Sequence, residues 1–109
     1  MVIDASAVVL GLLNDADARR VMTDEALAVP HLVDSDVAHA LRGQVARGAV
    51  SEATASQALG RWARVGVIRF AAVGLLGRVW GLRENVSAYD GTYVALAESL
   101  DCPLVTADA

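Results

Sequence analysis

Four short apolar stretches, Val2–Ile3, LAVP, VIRFAAV and PLVT, are separated from one another by segments with helical periodicity. Antiparallel neighbours can be joined by a hairpin turn, but parallel neighbours need a crossover of roughly a dozen residues or more, usually a helix. This spacing predicts an α/β fold, with a mainly parallel central sheet and helices on both faces. A helix is expected to start near Ser6. A second fits DADARRVMTDEAL, where Ala18, Val21, Met22 and Ala26 share a face. HLVDSDVAHALRGQVARG ends at a glycine, and SEATASQALGRWARVG opens with Ser51 as N-cap and closes at Gly66. Helices through LLGRVWGLREN and AYDGTYVALAESL complete the set. With no internal repeat, low-complexity tract or linker, residues 1–109 are expected to form a single domain.

The acidic residues follow this frame. Asp4 comes directly after the first strand and Asp108 after the last. In open parallel sheets ligands bind beyond the carboxyl ends of the strands, which is where both would project. Asp90 lies at the start of the last helix, and Asp34 and Asp36 near the start of an earlier one. Each has an ordinary structural explanation. Asp4 can cap the next helix, SAYD matches a capping box with Ser87 as cap, Asp108 can turn the chain, and Asp34 and Asp36 can sit in a solvated first turn. Their convergence on one rim is not explained that way, because clustered carboxylates repel one another and persist mainly where a cation compensates. Carboxylates without a cysteine or a suitable histidine favour a hard ion, Mg²⁺ or Mn²⁺, over zinc.

VIDASAVV, PHLVDSDVAHALR and LRENVSAYDGTYVALAESLDCPLVTAD, in that order along nearly the whole chain, resemble the PIN-domain ribonuclease toxins of toxin–antitoxin modules, the VapC family. The resemblance implies a three-layer PIN-like fold and a metal-dependent endoribonuclease, the toxin of a type II system. It implies that Asp4, Asp36, Asp90 and Asp108 form the acidic quartet that binds Mg²⁺ or Mn²⁺. Ser6 and Thr106 fall where the family often has small hydroxyl residues beside those acids. RNA would be the substrate, a cognate antitoxin the partner, and operator DNA would be reached only through that antitoxin. Arg83, just before the SAYD helix, is a candidate for contacting substrate phosphate, beside the alternatives of a surface ion pair or an antitoxin contact. The alternative function is a PIN-fold binding module that cuts weakly or not at all and acts through its antitoxin.

The chain departs from the family pattern in two places. Position 36 is usually Glu, and Asp has a shorter reach. Helical periodicity does not decide between Asp34 and Asp36, since each flanks the stripe of Val33, Val37, Ala40 and Leu41; only the family pattern selects Asp36. The sequence also stops one residue after Asp108, whereas relatives continue through a further helix and a final strand, so those elements are expected to be missing.

Composition narrows the alternatives. A net charge of −4 argues against holding nucleic acid on a broad basic surface, so such contacts must be local. The basic residues are all Arg, and without Lys neither a signalling receiver domain nor a haloacid-dehalogenase-type phosphatase fits; the first also lacks an acceptor Asp between Asp36 and Asp90. A metal-free ribonuclease would need His31 and His39 as acid and base, but eight helical residues separate them by about 12 Å along the axis. Cys102 has no partner for a disulfide and is expected to be a buried, inert thiol in a reducing compartment. No apolar stretch approaches the roughly 20 residues of a membrane span, so a cytoplasmic protein is expected. A hydrophobic fraction of 55% is high for so small a domain and predicts an apolar face covered by a second copy, a homodimer.

Overall fold

The computed structural model describes residues 1–13, 19–20, 22–23 and 26–107. Four parallel strands, β1 (Val2–Ile3), β2 (Ala28–Pro30), β3 (Ile68–Phe70) and β4 (Leu104–Val105), form one sheet in the order β3-β2-β1-β4. Between them run α1 (Ala5–Leu13), α2 (Leu32–Ala46), α3 (Glu52–Trp62), a 3-10 turn at Val73–Leu75, α4 (Leu76–Gly81) and α5 (Ala88–Ser99). Alternation of strand and helix therefore yields the mainly parallel α/β sheet expected of it. The second expected helix falls largely outside the described residues, including Ala18 and Val21. Residues 19–20 and 22–23 are helical, and Met22 is buried, while Ala26 is exposed and outside the helix.

Right-handed crossovers decide which face each helix covers. The chain moves from β1 to β2 to β3 in one direction, which puts α1, α2 and α3 on one face, where they pack on one another. It then returns past β1 to β4, which puts α4 and α5 on the opposite face, with α5 lying across β1, β2 and β4. The core joins Val2, Ile3 and Val29 of the sheet to Val8, Val33, Val37, Ala58 and Trp62 on one side and Tyr93 and Leu96 on the other. The direction of travel reverses between β1 and β4, and the carboxyl ends of those two strands flank the crevice where such sheets bind ligands.

Local chemistry fixes the helix ends. Ser51 accepts from the Thr54 N–H and Ser87 from the Asp90 N–H, so both expected N-caps form. α2 ends in a Schellman motif, in which Gly48 at φ 73° donates to the Val45 carbonyl and Ala49 donates to that of Gln44. α5 ends the same way with a non-glycine residue: Asp101, at φ 49°, donates to Glu98 and Cys102 to Ala97. Cys102 is only half-buried, short of the buried position expected from its apolar neighbours.

Candidate active site

Asp4 leaves β1 as the sheet ends, its N–H still donating to the Val105 carbonyl of β4. One carboxylate oxygen, Oδ1, accepts from the Ala7 N–H at 3.1 Å and from the Ser6 hydroxyl at 2.7 Å. Asp4 therefore does cap α1, but with one oxygen; among the described residues Oδ2 accepts no hydrogen bond. Ser6 fixes this arrangement, because its Oγ also accepts from the Ala107 N–H at 3.0 Å and lies 3.3 Å from the Thr106 hydroxyl. The ends of β1 and β4 are thus laced together beside Asp4.

Asp90 stands in the exposed first turn of α5. The capping role open to it is half realised: its N–H donates to Ser87, but its carboxylate accepts from no described residue. Asp4, Asp90, Thr106 and Tyr93 line one cleft of 160 Å³ at the β1/β4 edge. Asp36 joins this group from α2 through Tyr93, whose hydroxyl donates to Asp36 Oδ2 at 2.7 Å. Burial, then the bond to Asp36, then the charges of Asp36, Asp4 and Asp90 push the Tyr93 phenol far above its ordinary value, so it remains a proton donor. Tyr93 is absent from the sequence-based site; the signal was its place three residues after Asp90, one turn along the same helix.

The structure separates the two acids that periodicity left undecided. Asp34 is partly open to water in the first turn of α2, but solvent is not its main partner. Its carboxylate accepts from Arg69 Nε and Nη2 at 2.8 and 2.9 Å and from Trp62 Nε1 at 2.8 Å. Arg69 first, then Trp62, hold the Asp34 carboxyl below the usual carboxylate range against an opposing effect of burial. Asp34 is a clamp joining α2, α3 and β3. Arg83 stacks on the exposed Trp80 ring, 4.6 Å from its centroid, and donates to the Trp80 carbonyl at 2.9 Å. His39 lines a groove between α1 and α2, and His31 lies beside the Asp34 clamp. Asp108 lies outside the described residues. Among the described residues no three His, Cys, Asp or Glu side chains stand close enough together to hold a metal ion.

No protein-family model matches the chain. Individual relatives do. Ribonuclease VapC9 of Mycobacterium tuberculosis and the VapC ribonuclease Mb0985 of Mycobacterium bovis are each 51% identical over 108 residues, spanning 99% of this chain and 85% of theirs. Ribonuclease VapC1 of M. tuberculosis is 38% identical over 113 residues, with 99% of this chain and 85% of the relative covered. Among solved structures, PAE2754 from Pyrobaculum aerophilum superposes with a TM-score of 0.72 at 28% identity, covering 98% of this chain and 73% of that one. The M. tuberculosis toxin VapC20, described as cleaving the sarcin-ricin loop, superposes at 0.68 over 99% of this chain and 89% of its own, and its 16% identity speaks to the fold. With half its residues shared along almost its whole length, the chain belongs to the VapC family of PIN-domain ribonucleases.

Proposed function

We propose that the chain is the toxin of a type II toxin–antitoxin pair and hydrolyses RNA phosphodiesters at the β1/β4 rim with a divalent cation, Mg²⁺ or Mn²⁺. The observation that carries this reading is the cleft lined by Asp4 and Asp90 together, at the point where the sheet reverses its direction of growth. The donor set fits a hard cation: it offers only oxygens, and Asp4 Oδ2 is left without a hydrogen bond among the described residues. Mg²⁺ is commonly held by one or two carboxylates and keeps several waters, so the pair of Asp4 and Asp90 lining the cleft suits it.

Asp4 and Asp90 would hold the cation, with Asp36 acting across a water and Asp108 completing the acidic set. A cation held there would supply charge neutralisation at the phosphate and a lowered pKa for an attacking water. Ser6 keeps Asp4 in one orientation by donating to Oδ1, which leaves Oδ2 for the ligand. Thr106 walls the cleft beside it. In-line attack by water leaves 5′-phosphate and 3′-hydroxyl ends, with no role for the ribose hydroxyl as nucleophile. Arg83, already stacked on Trp80, presents its remaining guanidinium donors to a substrate phosphate.

The same reading supplies the partners. A groove of 580 Å³ between α1 and α2 includes Ser6 in its lining and combines Val9, Leu10 and Leu13 with His39 and Arg47. An apolar antitoxin segment laid in it would bring an arginine to the acidic rim. Val73, Leu76 and Trp80, 77%, 55% and 68% exposed, recur at helical spacing along one side of the 3-10 turn and α4. That stripe supports a homodimer. The protein would act in the cytoplasm, where a lone thiol such as Cys102 stays reduced, and would reach operator DNA only through the antitoxin.

Metal titration of the purified chain with RNA cleavage followed in parallel tests this reading. Chelator is expected to stop the reaction reversibly, and the products to carry 5′-phosphates. Cleavage that survives exhaustive chelation, or cyclic 2′,3′-phosphate ends, would show that the ribose hydroxyl or another group does the work.

A further inference from the structure

Tyr93 carries a hydroxyl that the core does not require. Its ring is 2% exposed and belongs to the apolar cluster under the sheet, a place a phenylalanine would fill equally well. A buried hydroxyl costs free energy unless it is bonded, and this one spends its proton on a single acceptor, Asp36 Oδ2, reaching from α5 to α2. Tyr93 also lines the cleft with Asp4 and Asp90, so its hydroxyl stands between the acids of the cleft and the acid of α2.

Asp36 needs such a partner. Its side chain is one methylene shorter than Glu, roughly 1.3 Å less reach. Left alone, a half-buried Asp on a helix samples several rotamers. A bond to Oδ2 selects one of them and leaves Oδ1 without a donor among the described residues.

We propose that Tyr93 is the positioning residue of this site: its hydroxyl holds the short Asp36 carboxylate in the one orientation from which Oδ1 serves the Asp4–Asp90 cleft through water. This rests on the reading of the rim as a cation-dependent RNA-cleaving site. A hydrogen-bond partner behind a ligand sets its orientation, and losing one changes metal affinity or activity by about 10- to 100-fold.

The test compares the full chain with Tyr93→Phe, Asp36→Asn, the double variant and Asp4→Asn, measuring Mn²⁺ binding by the electron-spin signal of free Mn²⁺ alongside RNA cleavage. Tyr93→Phe is expected to weaken Mn²⁺ binding about tenfold and to lower kcat while KM for RNA stays near its original value. The double variant should be no worse than Asp36→Asn alone, since the hydroxyl acts through that carboxylate. A Tyr93→Phe chain that only melts earlier, with Mn²⁺ affinity and kcat unchanged, overturns the proposal and makes the hydroxyl a packing detail. So does Asp36→Asn behaving as the original chain, an outcome readable even if Tyr93→Phe does not fold. If Asp4→Asn also binds Mn²⁺ and cleaves normally, the reading of the rim itself falls, and the proposal with it.

Discussion

Asp34 and Asp36 sit two residues apart on one helix and have opposite surroundings. Asp34 meets three donors from α3 and β3, so its carboxylate is largely occupied by the protein itself. Asp36 receives one described donor, Tyr93, and at the rim Asp4 keeps an oxygen without one, while Asp90 accepts from no described residue. An ionised carboxylate has about four acceptor sites. A carboxylate whose sites are largely filled by neighbouring donors is a clamp, whereas Asp4, Asp36 and Asp90 keep acceptor sites that no described residue fills.

The strongest way to break this contrast is to neutralise the cleft. Asp4→Asn and Asp90→Asn are each expected to lower RNA cleavage by about 100-fold or more, since changes one layer further out already reach 10- to 100-fold. The fold should survive both changes. Asn caps helices about as well as Asp, so α1 keeps its cap, and relief of carboxylate repulsion should leave the melting temperature in chelator unchanged or slightly raised. Unfolding of both variants would make these acids structural and erase the distinction from Asp34.

Asp34→Asn, matched with Asp36→Asn under identical metal, sharpens the contrast from the other side. Asp36→Asn should impair cleavage with little change in stability. Asp34→Asn should leave cleavage near its original rate and cost about 1 kcal/mol, a figure kept small because this pair is partly open to water. The pH dependence has a definite sign. Arg69 holds the folded Asp34 carboxyl below its ordinary value, so its contribution is complete above the unfolded value of about 3.9 and is lost as pH falls through the lower folded value. Denaturant unfolding at pH 7 and along the acid limb should therefore show the original chain and Asp34→Asn converging below about pH 4. Loss of cleavage in Asp34→Asn alone would place the helix carboxylate two residues too late.

The fold was legible because its signals are local and repeated: strand spacing, Ser51 and Ser87 at helix starts, glycine after α2. Asp4 and Asp90 were legible for the same reason, each sitting at a junction between elements. The roles of Asp34 and Tyr93 were not. Trp62 and Arg69 lie 28 and 35 residues from Asp34, and Tyr93 lies 57 from Asp36. Periodicity says which face a residue is on, but not which donor from another element reaches it. Family resemblance selected Asp36 over Asp34 without giving a reason, and the hydrogen bonds of the two acids now show how differently they are placed.

The smallest expected effect lies at the far end of α5, where Asp101 is held at φ 49°. The left-handed region brings Cβ close to the backbone, a cost that Asp and Asn bear better than most residues and glycine does not bear at all. The Schellman bonds from Asp101 and Cys102 are backbone bonds and survive substitution. Asp101→Gly should therefore relieve strain, partly offset by the greater freedom of glycine in the unfolded chain. A net gain of about 0.5 kcal/mol corresponds to roughly 2–4 °C in melting temperature for a domain of this size. Asp101→Ala should shift the other way, since it adds strain and removes a tolerant side chain. Eleven residues of helical rise, about 16 Å, separate this turn from Asp90. Both variants should consequently cleave RNA at the original rate with saturating Mn²⁺. If either changed cleavage in step with stability, activity would be tracking the folded fraction or the rigidity of α5, and the division between a scaffold of filled carboxylates and a rim of open ones would have to be redrawn around that helix.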